Sequence, residues 1–543
     1  ASLVVADGQD ASAVRNKISG SVVLSVGGQK IGVVGAITKD LNSLAETGDV
    51  VVSTDLVGKI QPAVDALMAQ GVNKIMLVSH LQDFRNEFDL ATKLRGVDVI
   101  VAGGSHAVFA KPGNRVRDGD VVANTYPAVL TSAKGEPVYV VNTGPNYRYV
   151  GRLIVTFDDS GLVTGVDELS GAYATDEKGV LATGSRAATP AVVEIVKNIG
   201  DILDSKDGNL FGRTTQFLDG RSVQVRSEET NLGHLCTDPS TVIGFKDGGG
   251  IRDSIGEFSS TGGNAELVPP LANPRVGKKD GDISQLDIEN ALRFNDGLSI
   301  LTVTAQQLRD CLEWGVSALG ASGRYPHVSG VLFSYIPTNK PMTYVIGDDG
   351  EPARIDSSGE RVRNLVVIRP DESQDLVVEG GAVVGDPKRT FRLVTIDYMA
   401  NGGDSYLPLA QGKERVNLFA ANSPKEFKVE GRRQLALAQY LKTIGQYNEP
   451  ERPASEDQRN QNLSKREDSV LSPVLRGIDV QPSSTRLKFR TLQGRRYVAE
   501  TLETLAGTWV RLPQEMQGTG TLAEIVDSRP SSAQRYYRIV MLP

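Results

Sequence analysis

Two short apolar runs, with a helical pattern between them, constrain the fold of this chain most strongly. Residues 75–78 form a continuous apolar run of the kind found in strands that are buried on both faces, and residues 97–102, which are apolar apart from Asp98, predict a second buried strand. Residues 87–95 between them have helical spacing, and an earlier helical pattern over residues 55–70 ends at Gly71. The order strand, helix, strand predicts α/β layering for this part of the chain.

Each of these predicted strands leads into a histidine. The first run continues into Ser79 and His80, and the second continues through two glycines and a serine to His106. Active and binding sites of α/β sheets lie at the carboxyl ends of the strands, and imidazole is a common ligand of divalent metals. His80 and His106 are therefore candidate metal ligands. The alternative is that each is a structural histidine whose ring nitrogens bond to the protein.

Composition excludes several classes of protein. The chain of 543 residues has 59 Lys and Arg against 66 Asp and Glu, a net charge of −7, which argues against a dedicated nucleic-acid binder. No apolar run reaches about 18 residues, so no transmembrane segment is expected. The two cysteines, Cys236 and Cys311, are too few for a disulfide framework or a cysteine-based zinc cluster.

Further patterns predict a chain of several parts. A helical stretch over residues 187–205 has Pro190 in its first turn. Residues 448–468 are rich in Glu, Arg, Asn and Ser, as in a flexible linker, and short strands separated by turn residues follow them. We expect a first domain over 1–160, a connector with a linker helix over 161–206, a second α/β domain over 207–447, a flexible linker over 448–472 and an all-β accessory module over 473–543.

The N-terminal residues lack the features of a signal peptide. There is no initiator methionine, no charged segment and no apolar segment of the usual kind before the first predicted strand. The opening residues, from Ala1 to Val5, look like the middle of a domain. We therefore expect that processing or truncation has removed a segment upstream.

A glycine-rich segment in the second predicted domain has the composition of a ligand-binding loop. Residues 247–255 read DGGGIRDSI, and two further arginines precede them in the chain. Glycines let the backbone approach a ligand and donate its N–H groups, and arginine offers a planar fork to phosphate or carboxylate. A tight turn is the alternative interpretation of the glycines. The candidate binding residues here are Arg221, Arg226, Gly249, Gly250 and Arg252.

Two later segments add aromatic rings and carboxylates. Residues 293–296 read RFND, and residues 397–406 read DYMANGGDSY. An aromatic face stacks on a nucleic-acid base with about 1–3 kcal/mol, and a carboxylate accepts hydrogen bonds from hydroxyl or amine groups. Together with the arginines, these motifs predict a pocket for an anion attached to a flat ring. Its candidate residues are Phe294, Asp296, Tyr398 and Asp404, with core packing as the alternative for both rings.

The histidine-bearing strands resemble part of a known enzyme family. VSHL at residues 78–81 and GVDVIVAGGSH at residues 96–106 look like the calcineurin-like metallophosphoesterase domain of the 5'-nucleotidase family. The resemblance implies that His80 and His106 are ligands of a two-metal phosphatase centre, whose divalent ions would be Zn, Mn, Mg or Ca. It also implies that the first domain is a partial metallophosphoesterase sandwich.

This chain departs from the metallophosphoesterase pattern in two ways. The first histidine of the family's usual pair falls on Gly104, and the family's N-terminal Asp-x-His, Asp and Asn-His-Glu motifs have no counterpart here. Two histidines cannot hold two cations about 3.5–4 Å apart. We therefore predict that this chain alone binds metal weakly and turns over slowly, and that a separate N-terminal fragment is a possible partner that completes the site.

The second predicted domain resembles the 5'-nucleotidase C-terminal domain, which binds the nucleoside part of the substrate. DGGGIRDSI and NGGDSY look like the two signatures of that domain. TNLGHL at residues 230–235 resembles its helix start, and YPHVSG at residues 325–330 resembles one of its turns. The histidines in these last two segments, His234 and His327, are expected to be structural.

Carried over position by position, this resemblance assigns roles to the candidate residues. It implies that Phe294 and Tyr398 sandwich the base and that Asp404 contacts the ribose hydroxyls or supports its loop. Asp296 stands where the family has asparagine. The guanidinium groups that would hold the sugar and phosphate are those of Arg252 and Arg226, together with Arg221.

The function expected from these resemblances is metal-dependent hydrolysis of nucleotide phosphomonoesters to nucleoside and phosphate. One alternative is a broad phosphatase, or a phosphodiesterase acting on nucleotide sugars or cyclic nucleotides. Another is a nucleotide-binding protein whose catalysis is impaired because N-terminal metal ligands are absent. The low cysteine count and the resemblance suit an exported bacterial protein, located in the periplasm, outside the cell or at its surface.

Overall fold

The protein divides into two compact units, with the division after Pro190. This division falls inside the connector predicted over residues 161–206. The computed structural model describes residues 18–41, 51–184, 189–246, 254–256, 272–320, 323–347, 352–369, 373–504, 506–529 and 534–542. The predicted mixed α/β class is confirmed, because helices are layered on sheets in both units.

The first unit is built around a six-stranded sheet with the order β1-β2-β3-β4-β8-β7. Its four central strands run parallel, and each outer strand pairs antiparallel with its neighbour. The bounds of these strands are β1 Ser21–Val26, β2 Gln29–Ile37, β3 Ile75–His80, β4 Val99–Val101, β7 Ala128–Thr131 and β8 Pro137–Val141.

Smaller elements complete the first unit. Two-stranded sheets pair β5 with β6, β9 with β12 and β10 with β11. Their bounds are β5 Val108–Phe109, β6 Val122–Asn124, β9 Tyr149–Arg152, β10 Val155–Phe157, β11 Val163–Val166 and β12 Gly171–Ala174. The helices of this unit are α1 Leu56–Ala69, α2 Phe84–Lys93 and α3 Glu177–Ala182.

Helices α1 and α2 follow the sequence pattern, with one shift. Helix α1 buries Ile60, Val64 and Leu67 against the sheet, in agreement with the predicted helical spacing. Helix α2 begins three residues before the predicted start, because the side chain of Asp83 accepts a hydrogen bond from the backbone N–H of Arg85 and caps the helix there. The pattern of apolar residues could not reveal this cap.

The two faces of the large sheet differ in what covers them. Leu77 and Ile100 belong to the core beneath the helices. Side chains of the same strands that point the other way, including Met76 and Val101, line a cavity of about 600 Å³. Since successive strand residues alternate between faces, one face of this sheet forms the core of the unit and the other forms a largely apolar groove.

The second unit contains two five-stranded sheets and several helices. The first sheet has the order β17-β14-β24-β16-β25, and the second has the order β23-β22-β21-β18-β26. Two-stranded sheets pair β13 with β15 and β19 with β20. The strand bounds are β13 Leu210–Arg213, β14 Ser254–Gly256, β15 Asp282–Ser284, β16 Leu298–Thr304, β17 His327–Ser329, β18 Val331–Tyr335, β19 Met342–Ile346, β20 Pro352–Ser358, β21 Val362–Ile368, β22 Gln374–Glu379, β23 Ala382–Val383, β24 Thr390–Ile396, β25 Lys413–Asn417 and β26 Asn460–Asn462.

The helices of the second unit pack on these sheets around two apolar cores. Helix α8 and the strands β16, β18, β21 and β24 form the larger core. The smaller core lies among α6, α7 and α11. The helix bounds are α4 Pro190–Asp207, α5 Ser222–Val225, α6 Asn231–Lys246, α7 Gln285–Ala291, α8 Ala305–Gly315, α9 Asp397–Ala400, α10 Leu407–Ala410 and α11 Arg433–Ile444.

The segment 448–472, predicted as a flexible linker, is instead packed into the second unit, and that prediction is wrong. Strand β26 pairs parallel with β18. The buried carboxylate of Glu229 accepts hydrogen bonds from the backbone N–H groups of Gln458 and Asn460, at 3.0 and 2.8 Å. The segment therefore holds its place through polar contacts, which its polar composition could not distinguish from exposure to solvent.

The residues after this segment form two three-stranded sheets, as expected for an all-β module. Their orders are β27-β28-β31 and β30-β29-β32, and they enclose a small core that includes Phe489 and Tyr497. The strands are β27 Leu475–Gln481, β28 Ser484–Arg490, β29 Arg496–Leu502, β30 Val510–Gln517, β31 Leu522–Asp527 and β32 Tyr536–Leu542. Within the described ranges, no helix combines the length and apolar character needed to cross a membrane.

Candidate functional site

The turn that carries Phe294 is held rigidly from behind. It joins α7 to β16, and Asn295 within it has a φ of 46°, a backbone conformation that is uncommon for residues other than glycine. The Asn295 side chain donates to the carbonyl oxygen of Glu426 at 2.9 Å and accepts from the backbone N–H of Gln434 at 3.0 Å. Arg432 donates to the Asn295 carbonyl oxygen at 3.0 Å. These bonds fix the direction in which Phe294 leaves the turn.

The loop that carries Tyr398 begins at the same end of the sheet. Strands β16 and β24 are antiparallel neighbours, with Leu298 opposite Ile396, so the chain before β16 and the chain after β24 meet at one edge. The carboxylate of Asp397 accepts from the backbone N–H of Gly297 at 2.9 Å, and the Gly297 carbonyl oxygen accepts from the Asp397 N–H at 2.8 Å. The turn and the loop that carry the two aromatic positions therefore meet at one edge of the sheet.

Tyr398 is positioned by the glycine loop that follows it. Its hydroxyl donates to the carboxylate of Asp404 at 3.2 Å and accepts from the Asp404 backbone N–H at 3.2 Å. A Cβ atom at Gly403 would lie 2.5 Å from the Tyr398 ring, so only glycine allows this close approach. Asp404 and Ser405 both have positive φ, at 51° and 62°. Such strained backbone is concentrated at functional sites.

The two rings differ in exposure. Phe294 is 48% exposed, so it does not belong to the packed core. Tyr398 is half-buried and packs against the larger core of the unit on one side. An exposed phenylalanine on a rigid turn and a half-buried tyrosine on the neighbouring loop offer flat apolar surfaces to a ligand.

Asp296 lies between these two segments. Its side chain is 12% exposed, and Lys425 donates to its carboxylate at 3.3 Å. The pKa of Asp397 is raised, first by burial and then by the negative charge of Asp296. The carboxyl groups of Asp296 and Asp397 therefore interact electrostatically where the Phe294 turn meets the Tyr398 loop.

The predicted arginines take different positions. Arg221 donates to the buried carboxylate of Asp219 through Nε, at 3.0 Å, and Nη2, at 2.5 Å, and its guanidinium lies 5.8 Å from the Phe217 ring centroid. Arg226 ends helix α5, and its carbonyl oxygen accepts from the N–H of Gly320 at 2.8 Å. Gly249, Gly250 and Arg252 lie outside the described residues.

The two candidate metal ligands follow neighbouring parallel strands: His80 ends β3, and His106 lies in the loop between β4 and β5. His80 is the last residue of β3, and the Gly103 carbonyl oxygen accepts from the backbone N–H of Leu81 at 3.1 Å. A Cβ atom at Gly104 would lie 2.8 Å from the His80 ring, so the segment leading to His106 passes directly beside His80. Both imidazoles are exposed.

A buried charged cluster beside helix α6 had no signal in the sequence. His234 lies between two carboxylates, 3.2 Å from Glu229 and 2.9 Å from Glu449. These carboxylates raise the pKa of His234 although burial opposes the shift, and the bonds to His234 lower the pKa values of Glu229 and Glu449 to about 2. His327 is also buried, and burial lowers its pKa to about 4. The cluster lies at the start of α6, and the His234 and Glu229 side chains within it are buried.

Trp314 and Lys425 are further residues of the candidate site that no motif indicated, and Asp397 lies within a motif but was not named as a candidate. The Trp314 indole N–H donates to the carbonyl oxygen of Asp404 at 2.8 Å and so supports the Tyr398 loop. Asp397 immediately precedes Tyr398, and its position next to a candidate ring was a usable signal. Lys425 reaches Asp296 from a distant part of the chain, so no local pattern could reveal it.

The sequence model of the family described as the 5'-nucleotidase C-terminal domain matches residues 210–411. This range contains the Phe294 turn and the whole Tyr398 loop. This part of the chain is therefore similar to the C-terminal domain of 5'-nucleotidases.

The similarity to individual proteins extends beyond that domain. The chain is 26% identical over 387 residues to the trifunctional nucleotide phosphoesterase protein YfkN of Bacillus subtilis, covering 71% of this chain and 22% of that protein. It is 27% identical over 416 residues to the snake venom 5'-nucleotidase of Naja atra, covering 73% of this chain and 69% of that one. Mammalian 5'-nucleotidases are matched over only 54–60% of their own length.

A solved structure supports the same fold. The 5'-nucleotidase precursor from Thermus thermophilus superposes with a TM-score of 0.60 at 24% identity, covering 81% of this chain and 76% of that one. At this level of identity the likeness establishes the fold that the two proteins share.

The described residues do not by themselves fit a two-metal centre. His80 and His106 are two imidazoles, and no group of three or more His, Cys, Asp or Glu side chains in the described part of the chain is arranged to hold a metal ion. A two-metal site that clamps both oxygens of a phosphoryl transfer needs a larger set of ligands.

Proposed function

We propose that this chain serves in the hydrolysis of nucleoside 5'-monophosphates to nucleoside and phosphate, and that its second unit binds the nucleoside. The observation that carries the proposal is the meeting of the Phe294 turn and the Tyr398 loop at one edge of the sheet. The names of the relatives, which are 5'-nucleotidases and a nucleotide phosphoesterase, support the same reaction class.

The residues of the second unit would contribute binding and orientation. The faces of Phe294 and Tyr398 would stack on the base, and the Asp404 carboxylate, held beside the Tyr398 hydroxyl, would accept from the ribose hydroxyls. Arg226 and Arg252, with Arg221, would hold the charged end of the nucleotide. Binding energy from the non-reacting nucleoside then fixes the position of the phosphate ester.

The metal centre is a further part of the proposal. His80 and His106 would be two of its ligands, and when bound, two divalent ions would polarise the phosphoryl oxygens and activate water. Because the described residues supply too few ligands, the others must come from other residues of the protein or from a separate N-terminal fragment. We also propose export from the cell, supported by the relation to a venom enzyme.

The test compares two phosphate esters. Phosphate release from a nucleoside 5'-monophosphate and from glycerol phosphate is measured with added divalent ions, for the unaltered chain and for Phe294→Leu. We expect kcat/KM for the nucleotide to fall about tenfold or more while that for glycerol phosphate is unchanged, because only the nucleotide carries a base to stack. Tyr147→Leu, at a 94% exposed ring in the first unit, is the control.

Two outcomes would contradict the proposal. An equal loss on both esters would mean that Phe294 acts on the phosphate end or on folding. Equal rates on both esters, with no effect of Phe294→Leu, would favour a broad phosphatase.

A nucleotide-binding protein without catalysis is the second candidate function. It is favoured by the shortage of metal ligands among the described residues. In that case the chain would bind nucleosides with full dependence on Phe294 and release no phosphate under any metal condition.

A further inference from the structure

Asp296 is the carboxylate nearest in sequence to the exposed Phe294 ring, and its position is fixed. Its backbone carbonyl oxygen accepts from the N–H of Arg433 at 3.2 Å, and the neighbouring Asn295 is held by three hydrogen bonds. With a side-chain exposure of 12%, the carboxylate is largely removed from bulk water. A buried carboxylate held in this way, two residues from an exposed aromatic ring, can select among ligands, because leaving it unpaired is costly.

Lys425 gives this carboxylate a cationic neighbour. The ammonium group lies 3.3 Å from Asp296 Oδ1 and is 58% exposed, so it can turn toward a ligand without losing its contact with water. Acceptor and donor therefore stand side by side at the joint between the Phe294 turn and the Tyr398 loop.

We propose that Asp296 and Lys425 bind the hydrogen-bonding edge of the base and give the site a preference for guanine. The inference rests on the proposed function, since it requires the base to lie between Phe294 and Tyr398. It names the nucleotide class within that function.

The preference follows from counting donors and acceptors. A carboxylate only accepts hydrogen bonds, and an ammonium only donates them. Guanine presents two adjacent donors, its ring N1–H and its 2-amino group, next to a 6-oxo acceptor. It can therefore give both donors to Asp296 and accept from Lys425, three bonds in all. Hypoxanthine and uracil offer one N–H beside an oxo group, for two bonds.

Adenine and cytosine fit this pair less well. Each has one amino donor next to a ring nitrogen that only accepts, so a second carboxylate oxygen would face a lone pair. An asparagine at position 296 would remove the preference for guanine over adenine and cytosine, because its amide both donates and accepts hydrogen bonds. A bidentate contact of this kind discriminates between bases by about tenfold or more.

The test measures the affinity of nucleosides for the full chain by calorimetry. Nucleosides carry no phosphate, so their binding does not depend on a metal centre. We expect guanosine to bind about tenfold or more tightly than adenosine, with inosine in between, and Asp296→Asn to reduce the guanosine-to-adenosine ratio to about threefold or less. Asp479→Asn, the same change at an exposed site in β27, is the control and should leave the ratio unchanged.

Because Asp296→Asn changes a buried side chain and could disturb folding, a second variant changes an exposed one. Lys425→Met changes an exposed side chain and should weaken guanosine and inosine several-fold, because the 6-oxo group loses its donor. An unchanged ratio in Asp296→Asn, with guanosine unaffected by Lys425→Met, overturns the inference while nucleoside binding itself stands. If no nucleoside binds, or if Phe294→Leu leaves all affinities unchanged, the proposed function fails and the inference fails with it.

Discussion

At the scale of single residues, the candidate site depends on how closely Tyr398 approaches its own loop. The ring lies against Gly403, where any side chain would be 2.5 Å from ring atoms, and the hydroxyl is bonded to Asp404. The Tyr398 ring and the loop that carries Asp404 therefore hold each other in place. A side chain at position 403 should weaken ligand binding more than it lowers the free energy of unfolding.

We expect Gly403→Ala to weaken nucleoside binding by about tenfold, because the added methyl group displaces the Tyr398 ring and stacking is worth about 1–3 kcal/mol. Binding is measured by calorimetry, alongside the free energy of unfolding. Gly477→Ala is the control, since nothing lies within 4 Å of a Cβ atom there. Unchanged affinity in Gly403→Ala would show that the ring is not a binding surface.

His234 and two acidic residues near its cluster, Glu451 and Asp457, make the stability of the second unit depend on pH. The carboxylates around His234 raise its pKa, and burial raises the pKa of Glu451 to about 7 and that of Asp457 to about 8. Each group has a higher pKa folded than unfolded, so its stabilising contribution is present at low pH and is lost as pH rises through the folded value. Glu229 and Glu449, with pKa values of about 2, lose their contributions only in acid.

We therefore expect the free energy of unfolding of the second unit to fall, by on the order of 2 kcal/mol, between about pH 5 and pH 8.5. Urea denaturation followed by tryptophan fluorescence measures this unit alone, because the only tryptophans are Trp314 and Trp509. Asp457→Asn, which cannot titrate, should flatten the dependence. A free energy that rises over this pH range would contradict the assignment of the cluster.

At the scale of elements, local patterns predicted most of the first unit. The helical pattern over residues 55–70 is helix α1, and the apolar run at residues 75–78 is the centre of β3. These elements were predictable because their apolar residues follow the period of a strand or a helix. The start of α2 was not, since a single capping side chain decides it.

The structure of the segment 448–472, in contrast, could not be predicted from its local sequence pattern. Its strand β26 is short and carries no apolar residue, and it is held by Glu229 and by pairing with β18. Polar side chains that bond to buried partners have the same composition as polar side chains in solvent, so composition alone predicted a linker. The partner of such a segment lies far away in the chain and has to be seen in the structure.

The candidate site was predictable to a similar, partial extent. The motifs named Phe294, Tyr398 and Asp404, because ring and glycine-loop signatures are local in sequence. They could not name Lys425, which meets Asp296 across 129 residues, and they could not place Arg221 on Asp219. Contacts between distant segments are the part of a site that a single sequence does not specify.

At the scale of the whole molecule, the candidate binding residues and the candidate metal-ligating histidines belong to different compact units. Phe294, Asp296, Tyr398 and Asp404 are all in the second unit, and His80 and His106 are in the first. The second unit has its own apolar cores and should fold without the first.

We expect a fragment of residues 191–543 to unfold cooperatively and to bind nucleosides within about threefold of the affinity of the full chain, because domains with their own core fold independently. Thermal denaturation and calorimetry measure the two properties. The fragment should release no phosphate, since it lacks both histidines. A folded fragment that fails to bind nucleosides, although the full chain binds them, would mean that the first unit contributes to the base pocket.

The central claim is that a nucleoside base lies between two aromatic rings at the end of the β16–β24 pair. A crystal structure of the chain grown with guanosine tests it most directly. The account predicts density for the base between Phe294 and Tyr398, with its Watson–Crick edge toward Asp296. A base bound elsewhere, or none bound at concentrations that saturate the protein in solution, would contradict it.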